Sequence, residues 1–205
     1  METTISTLFF LLGFLDEYGG RVIAEGDDCI EIFYASERAE AEIFKKFLEK
    51  LSAERSVRTK IVTEIDPDGG HITFRCRELS ELINSFYKEW STMGYRIEEN
   101  TGEQRLLRVA QISKAVFSSV EKNEKLSFLL GAYCRSGEGD QFRFTNAKHK
   151  ADLVAELLEE CGCTDIRVTL DNPGYVPAVF SVRFAPSVDI QHWLAHNKTR
   201  MHQGF

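Results

Sequence analysis

The sequence predicts an α+β fold made of two copies of one αββαββα half. Three observations carry this. Phe10-Leu11-Leu12-Gly13 recurs as Phe128-Leu129-Leu130-Gly131, and a glycine follows six residues later in each copy, Gly19 and Gly137. Each copy is followed by the same succession of apolar patterns, alternating with period two in short stretches and with helical spacing in longer ones. Turn signals punctuate both successions at matching places. On this reading the 205 residues form a single domain of two pseudo-repeats. Residues 1–100 are the first half, 101–121 a linking helix, 122–198 the second half, and 199–205 a tail.

In the first half, residues 1–15 run into Asp16-Glu17 without a basic leading segment or a small-residue cleavage site. They read as a buried helix rather than a signal peptide. Strands are expected at 21–25 and 29–34, joined as a hairpin through Gly26-Asp27-Asp28. Ser36 is placed as the N-cap of a helix whose face is Ala39, Ile43, Phe47 and Leu51. A second hairpin, 57–65 and 71–77, turns at Asp66-Pro67-Asp68-Gly69-Gly70. A helix with Leu79, Leu82, Ile83, Phe86 and Trp90 on one side closes the half, and 103–120 reads as the linking helix.

The second half repeats the order. A strand at 141–145 leads past Asn146, in the place of Ser36, to a helix marked by Ala151, Leu153, Val154, Leu157 and Leu158. Strands at 166–170 and 179–184 flank Asn172-Pro173-Gly174. Ser187 starts a last helix through Trp193, and 198–205 reads as a frayed basic end.

Composition narrows the function. A chain with 43% hydrophobic and 28% charged residues buries a core without cross-links. No apolar run reaches the roughly 20 residues that span a bilayer, so no membrane partner is expected and the cytoplasm is the expected location. Five cysteines are an odd number, scattered through apolar patterns, and are expected to be buried thiols. His149, His192, His196 and His202 lack a metal-ligand pattern, and no phosphate loop or nucleophile motif is present. A net charge of −7 argues against a nonspecific nucleic-acid coat, but leaves open where the charges lie.

The two repeated segments resemble a known motif. Leu11-Leu12-Gly13-Phe14-Leu15-Asp16-Glu17-Tyr18-Gly19 resembles the motif of the LAGLIDADG homing endonucleases, and Leu129-Leu130-Gly131-Ala132-Tyr133-Cys134-Arg135-Ser136-Gly137 resembles an eroded copy. The double-motif, monomeric members of that family have the same element order in one chain. The resemblance implies two motif helices packed along a pseudo-two-fold axis, with Leu12, Gly13, Leu130 and Gly131 at their interface. It also implies a four-stranded antiparallel sheet in each half, the pair forming a saddle over duplex DNA with helices on the convex side. In the family, the last acidic residue of each motif holds divalent metal. Those positions here are Tyr18 and Ser136, and neither a phenol nor a hydroxyl replaces a carboxylate as a hard-metal ligand. Asp16 and Glu138 are weak substitutes, Asp16 standing opposite Cys134 in the repeat. No catalytic set, metal site or cofactor is therefore expected, with magnesium needed only by a residual nuclease.

Strand alternation gives a separate reading of the saddle. Residues expected to point outward are Arg58, Lys60, His71, Thr73, Arg75 and Arg77 in the first half, and Arg143, Arg167, Thr169 and Arg183 in the second. Arg58 matches Arg167 by repeat position, and Arg75 matches Arg183. Glu25, Glu31 and Glu64 are the acidic exceptions. The expected function is thus a catalytically inactive, monomeric nucleic-acid-binding protein with duplex DNA as its ligand. Two alternatives keep the fold: a module for contacting another protein, and a residual metal-dependent endonuclease using Asp16 or Glu138.

Overall fold

A computed structural model describes residues 4–97 and 102–202. The two motif helices form its centre. α1 (Thr7–Phe14) is apolar on every side and every residue in it is buried, as a helix without a polar face requires. α4 (Lys122–Ser136) starts polar and is buried from Leu126 to Cys134. They cross where their glycines meet. A Cβ on Gly13 would overlap the Phe128 carbonyl, and one on Gly131 would overlap the Phe10 carbonyl. Phe10 and Phe128 are repeat-equivalent, so the crossing is two-fold symmetric. Around it, Phe10 stacks on Phe47 at 3.8 Å and Phe128 meets Phe117 edge-on at 4.9 Å.

The second half follows the expected plan. β7 (Gly137–Glu138), β8 (Gln141–Thr145), β9 (Thr164–Leu170) and β10 (Val179–Ala185) form an antiparallel sheet in the order β7-β8-β10-β9. α5 (Lys148–Glu160) lies across β8, β9 and β10. α6 (Val188–His202) follows, with Ser187 Oγ accepting the Ile190 N–H at 3.3 Å. Residues 199–202 continue α6, so the frayed tail expected there is corrected; residues 203–205 lie outside the described residues.

The first half departs from it. β1 (Arg21–Ala24) and β2 (Cys29–Tyr34) are not a hairpin: β2 joins β4 (His71–Arg75) and β3 (Val62–Ile65) in the order β2-β4-β3. α2 (Arg38–Glu54) packs beneath, and Glu37, not Ser36, precedes it. α3 (Arg77–Asn84) ends before Phe86, and the chain turns back as β5 (Tyr87–Ile97) and β6 (Gln104–Ile112). β1 pairs with β6, giving a second sheet β1-β6-β5. The expected linking helix at 103–120 is therefore a strand followed by a short 3-10 turn at Lys114–Val116. Leu106, Val109, Ala110 and Ile112 suit either a helix face or a half-buried strand, and long-range pairing with β1 decides for the strand. Arg21 bridges the split: its guanidinium donates to the Ile30 carbonyl at 2.9 Å and the Cys29 carbonyl at 3.4 Å, joining β1 to β2 by side chain instead of backbone.

Two further expectations change. Residues 57–61 precede β3 rather than forming it, and Thr59, expected inward, is exposed with its N–H on Glu78 at 2.9 Å. A bulge between Cys29 and Glu31 turns Glu31 from the outward face into the interior, which is how a bulge re-aims a side chain. The cysteines are all free; four are buried and Cys29 is half-buried. Among the described residues, no helix is long and apolar enough to cross a membrane.

Candidate nucleic-acid interface

The motif ends are the natural place to look for chemistry, and they are built differently in the two halves. α1 leaves the helix at Leu15, so Asp16, Glu17 and Tyr18 lie beyond it. The free carbonyls at its end face cations from the second half. Arg135 donates to the Phe14 carbonyl at 3.3 Å, and the Lys150 ammonium donates to the Leu15 carbonyl. Positive charge at a helix C-terminus is favourable. Asp16 donates its N–H to Glu31 at 2.8 Å, and Gly19 donates to the Asn146 carbonyl at 2.9 Å.

A buried charge network fills the space between. Glu17 is fully buried, accepts from the Tyr87 hydroxyl at 2.9 Å, lies 2.6 Å from His149 Nε2 and faces the Lys150 ammonium at 3.9 Å. Burial opposes its charge, but Lys150 and the hydrogen bonds from His149 and Tyr87 outweigh it and hold the carboxyl below the usual carboxylate range. Burial pulls the Lys150 ammonium down, with Glu17 opposing. Arg135 reaches Glu31 at 3.3 Å and Glu37 at 3.1 Å, and its guanidinium lies 4.4 Å over the Phe33 ring. Burial raises the Glu31 carboxyl despite Arg135. In the α4 motif the end is simpler. The Lys198 ammonium donates to the carbonyls of Gly137 at 2.5 Å and Tyr133 at 3.2 Å.

These donors do not fit a divalent cation. Tyr18 is exposed and Ser136 half-buried. Glu17 and Glu31 have their oxygens committed to Lys150, His149, Tyr87, Arg135 and backbone N–H groups. Asp16 and Glu138 are exposed, and no group of three His, Cys, Asp or Glu among the described residues could hold a metal ion. Cys134, opposite Asp16 in the repeat, is buried.

The sheet faces place the other predicted residues. In the second half, Arg183 pairs across to Gln141 on one side and Arg167 on the other, and Ser181 pairs to Arg143 and Thr169. Paired residues share a face, so Arg143, Arg167 and Arg183 stand together, all exposed. Glu138, exposed and paired to Gln141, shares this face, and the carboxylate hydrogen-bonded within it is Asp171. It accepts from Ser181 at 2.5 Å and Thr169 at 3.2 Å, which hold it below its ordinary range, and lies 3.8 Å from Arg143.

In the first half, Arg75 is held by Asp27 at 2.7 Å, Glu64 at 2.8 Å and Asp28 at 3.1 Å. Thr73 is buried, and His71 lies 2.8 Å from Asp66 with its ring against Tyr34. Arg58 and Lys60 are exposed in the stretch before β3, and Arg77, expected at a strand end, is the first residue of α3. The match of Arg58 to Arg167 is corrected by register: Arg183 pairs with Arg167, whereas Arg75 pairs with Val62. At the helix crossing, Leu12 and Leu130 are fully buried beside their glycines.

As a buried charge network, Glu17, Arg135, His149 and Lys150 have no place in the sequence expectation, where Glu17 is only an acid beside the motif end and His149 only a histidine without a metal-ligand pattern. A signal existed. Glu17 and Arg135 both occupy the seventh motif position, where the family motif has alanine, and Lys150 stands one turn before Val154 on the apolar stripe of α5.

No family model matches the sequence, and no curated protein does. Solved structures of the homing endonuclease I-DmoI do match. Its complex with DNA and calcium superposes at TM-score 0.59 with 14% identity, covering 93% of this chain and 87% of that chain. The complex with DNA and manganese gives 0.59 with 15% identity, covering 93% and 94%. Mesophilic variants give 0.55 with 14% identity, covering 93% and 87%. At such identity the likeness is one of architecture, and it agrees with the crossed motif helices and antiparallel sheets: the chain has the LAGLIDADG homing endonuclease fold.

Proposed function

We propose that this protein binds nucleic acid on its sheet face, with duplex DNA as the ligand, and does not cut it. The observation that carries the binding is the group of Arg143, Arg167 and Arg183 on one exposed sheet face with Gln141 and Thr169 between them. Guanidinium groups there contact phosphates and displace counterions, and Arg and Gln also reach base edges. Solved structures of the same fold are DNA complexes, which supports this use of the face.

Catalytic silence rests on charge. Metal-assisted phosphodiester cleavage needs carboxylates free to hold cations at the attacking and leaving oxygens. At the α1 motif end the buried carboxylates Glu17 and Glu31 are paired with Lys150 and Arg135 from within the chain, and the motif positions themselves are Tyr18 and Ser136.

Fluorescence anisotropy with a labelled duplex, read between about 50 and 200 mM salt, tests binding through the salt slope. Incubation of supercoiled DNA with magnesium or manganese tests silence. Saturable, salt-dependent binding without nicking is the expected result. Nicking that is lost in Asp16→Ala or Glu138→Ala establishes the nuclease instead. A second reading, contact with another protein, is favoured by the exposed Ile32, Tyr34, Val62 and Ile65 on β2 and β3. It gains if no duplex binds at low salt and a stable partner copurifies.

A further inference from the structure

The strands β2-β4-β3 and β8-β10-β9 correspond in backbone register and differ in charge. The registers make this a residue-by-residue comparison. With Arg75 set on Arg183, Val62 falls on Arg167, Glu64 on Thr169 and Ile32 on Arg143. Two arginines of the second half thus have exposed aliphatic residues as their counterparts, and a threonine has a glutamate. The remaining arginine, Arg75, sits among Asp27, Asp28 and Glu64, all within 3.1 Å. One guanidinium against three carboxylates leaves this patch a formal −2. On the second face, three guanidinium groups outnumber Asp171 and Glu138, the latter paired beside Gln141, and leave the sum positive. The Arg143–Asp171 pair is long, at 3.8 Å, and Arg143 is 60% exposed, so it holds Arg143 weakly. The other first-half cations expected on this face lie off it: Arg58 and Lys60 precede β3, and Arg77 is on α3.

We infer that nucleic acid is held from one side: the β8-β10-β9 face of the second half makes the phosphate contacts, and the β2-β4-β3 face of the first half makes none. This rests on the nucleic-acid reading above and adds where the ligand lies and how much of it is gripped. A polyanion laid across both faces gains counterion release on the second and meets net negative charge on the first. Arg75 is then a structural residue, tying the β1–β2 connection (Asp27 and Asp28) to β3 and β4. The gripped site is a half-site, not the two-sided span that a charge-symmetric saddle would cover.

The salt dependence separates the two geometries by magnitude. Three phosphate contacts at a slope of about 0.9 each cost about 40-fold in affinity between about 50 and 200 mM salt; six contacts shared by both halves cost about 10³-fold. Arg143→Gln, Arg167→Gln and Arg183→Gln are each expected to lower the slope by about 0.9. Arg75→Gln is expected to leave it unchanged. Because Arg75→Gln also strands three carboxylates, a second variant is used: Asp28→Asn, which keeps two partners for Arg75 and is expected to bind as tightly as the parent or tighter. Footprinting on the duplex should protect one side of the site only. Equal slope changes from Arg75→Gln and Arg183→Gln, weaker binding by Asp28→Asn, or protection on both sides overturns the inference while leaving nucleic-acid binding intact. Absence of binding by the parent protein at low salt removes the nucleic-acid reading itself, and the inference with it.

Discussion

The two motif helices share the same four residues where they cross and finish differently. Where each faces the other, they are mirror partners: Gly13 lies on the Phe128 carbonyl as Gly131 lies on the Phe10 carbonyl. Where each faces its own half, they part. α1 stops at Phe14, and its end is sunk among Arg135, Lys150, Glu17 and Glu31. α4 continues to Ser136 and is closed by the single ammonium of Lys198. Duplication is preserved where one copy is the other's packing surface, because a change in either clashes with both. It is lost at the helix ends, where each motif meets neighbours the other does not have. In this chain the α1 end is surrounded by cations of its own, and the α4 end by one.

The largest expected effect breaks the α1 end. Lys150→Met removes the ammonium facing Glu17 while leaving a carboxylate with no exposure. Stranding a buried charge typically costs about 3–5 kcal/mol, so the urea midpoint should drop sharply. The double variant with Glu17→Gln should recover part of the loss, since the stranded charge is gone. Lys198→Met, at the α4 end, should show no such coupling to any carboxylate. Next come the symmetric positions. Gly13→Ala and Gly131→Ala each drive a methyl into a backbone carbonyl that cannot rotate away. The helices must separate, at about 1–3 kcal/mol or more. The two losses should be similar in equilibrium denaturation. A loss confined to one of them would mean that the crossing is not the symmetric element described.

How much of this was legible depends on the range of the interaction that decides it. The repeat, α5 and strands β8 to β10 follow from local spacing, because their apolar residues alternate cleanly with Arg143, Arg167 and Arg183. The segments at 86–90 and 103–112 read as helical because Phe86, Trp90, Leu106, Val109 and Ile112 fit a helical face as well as a strand. Only the pairing of β6 with β1, more than eighty residues away, resolves it. The β1–β2 hairpin fails for the converse reason: its turn is locally convincing, yet Arg21 and β6 take β1 elsewhere. The charge network was illegible as a set. Glu17 meets His149 and Lys150 across 132 and 133 positions of sequence, and spacing rules do not operate over such distances. The cage around Arg75 was hidden likewise: Arg75 reads as an outward strand residue, and its carboxylates come from a loop and a neighbouring strand.

Acid sharpens the comparison of the two ends. The Glu17 carboxyl is held below its ordinary range in the folded protein, whereas in the unfolded chain it titrates near about 4.3. Its contribution is therefore complete above that value and is lost as pH falls through the lower, folded value, at about 1.4 kcal/mol for each unit of depression. Glu31, raised by burial, acts in the opposite sense. Its charged form is disfavoured in the folded state, so it subtracts stability as pH rises above about 4.3. In Glu17→Gln the acid limb of a stability-versus-pH curve should flatten below about pH 4.3. An unchanged limb would mean that the carboxyl gains nothing from Lys150 and His149.

The smallest effect tests the other end. Lys198 supplies two hydrogen bonds to α4 carbonyls and lies 5.1 Å over the Tyr133 ring. It has no buried carboxylate to strand, so Lys198→Ala removes only a capping interaction, worth about 1 kcal/mol. The carbonyls it leaves are at the end of a helix, part-buried beside the exposed Glu138, where water replaces the ammonium. Hydrogen exchange at the α4 end should quicken in this variant while that of α1 is unchanged. If Lys198→Ala instead costs as much as Lys150→Met, the two ends are equally built into the core, and the contrast between a buried network and a single cap fails.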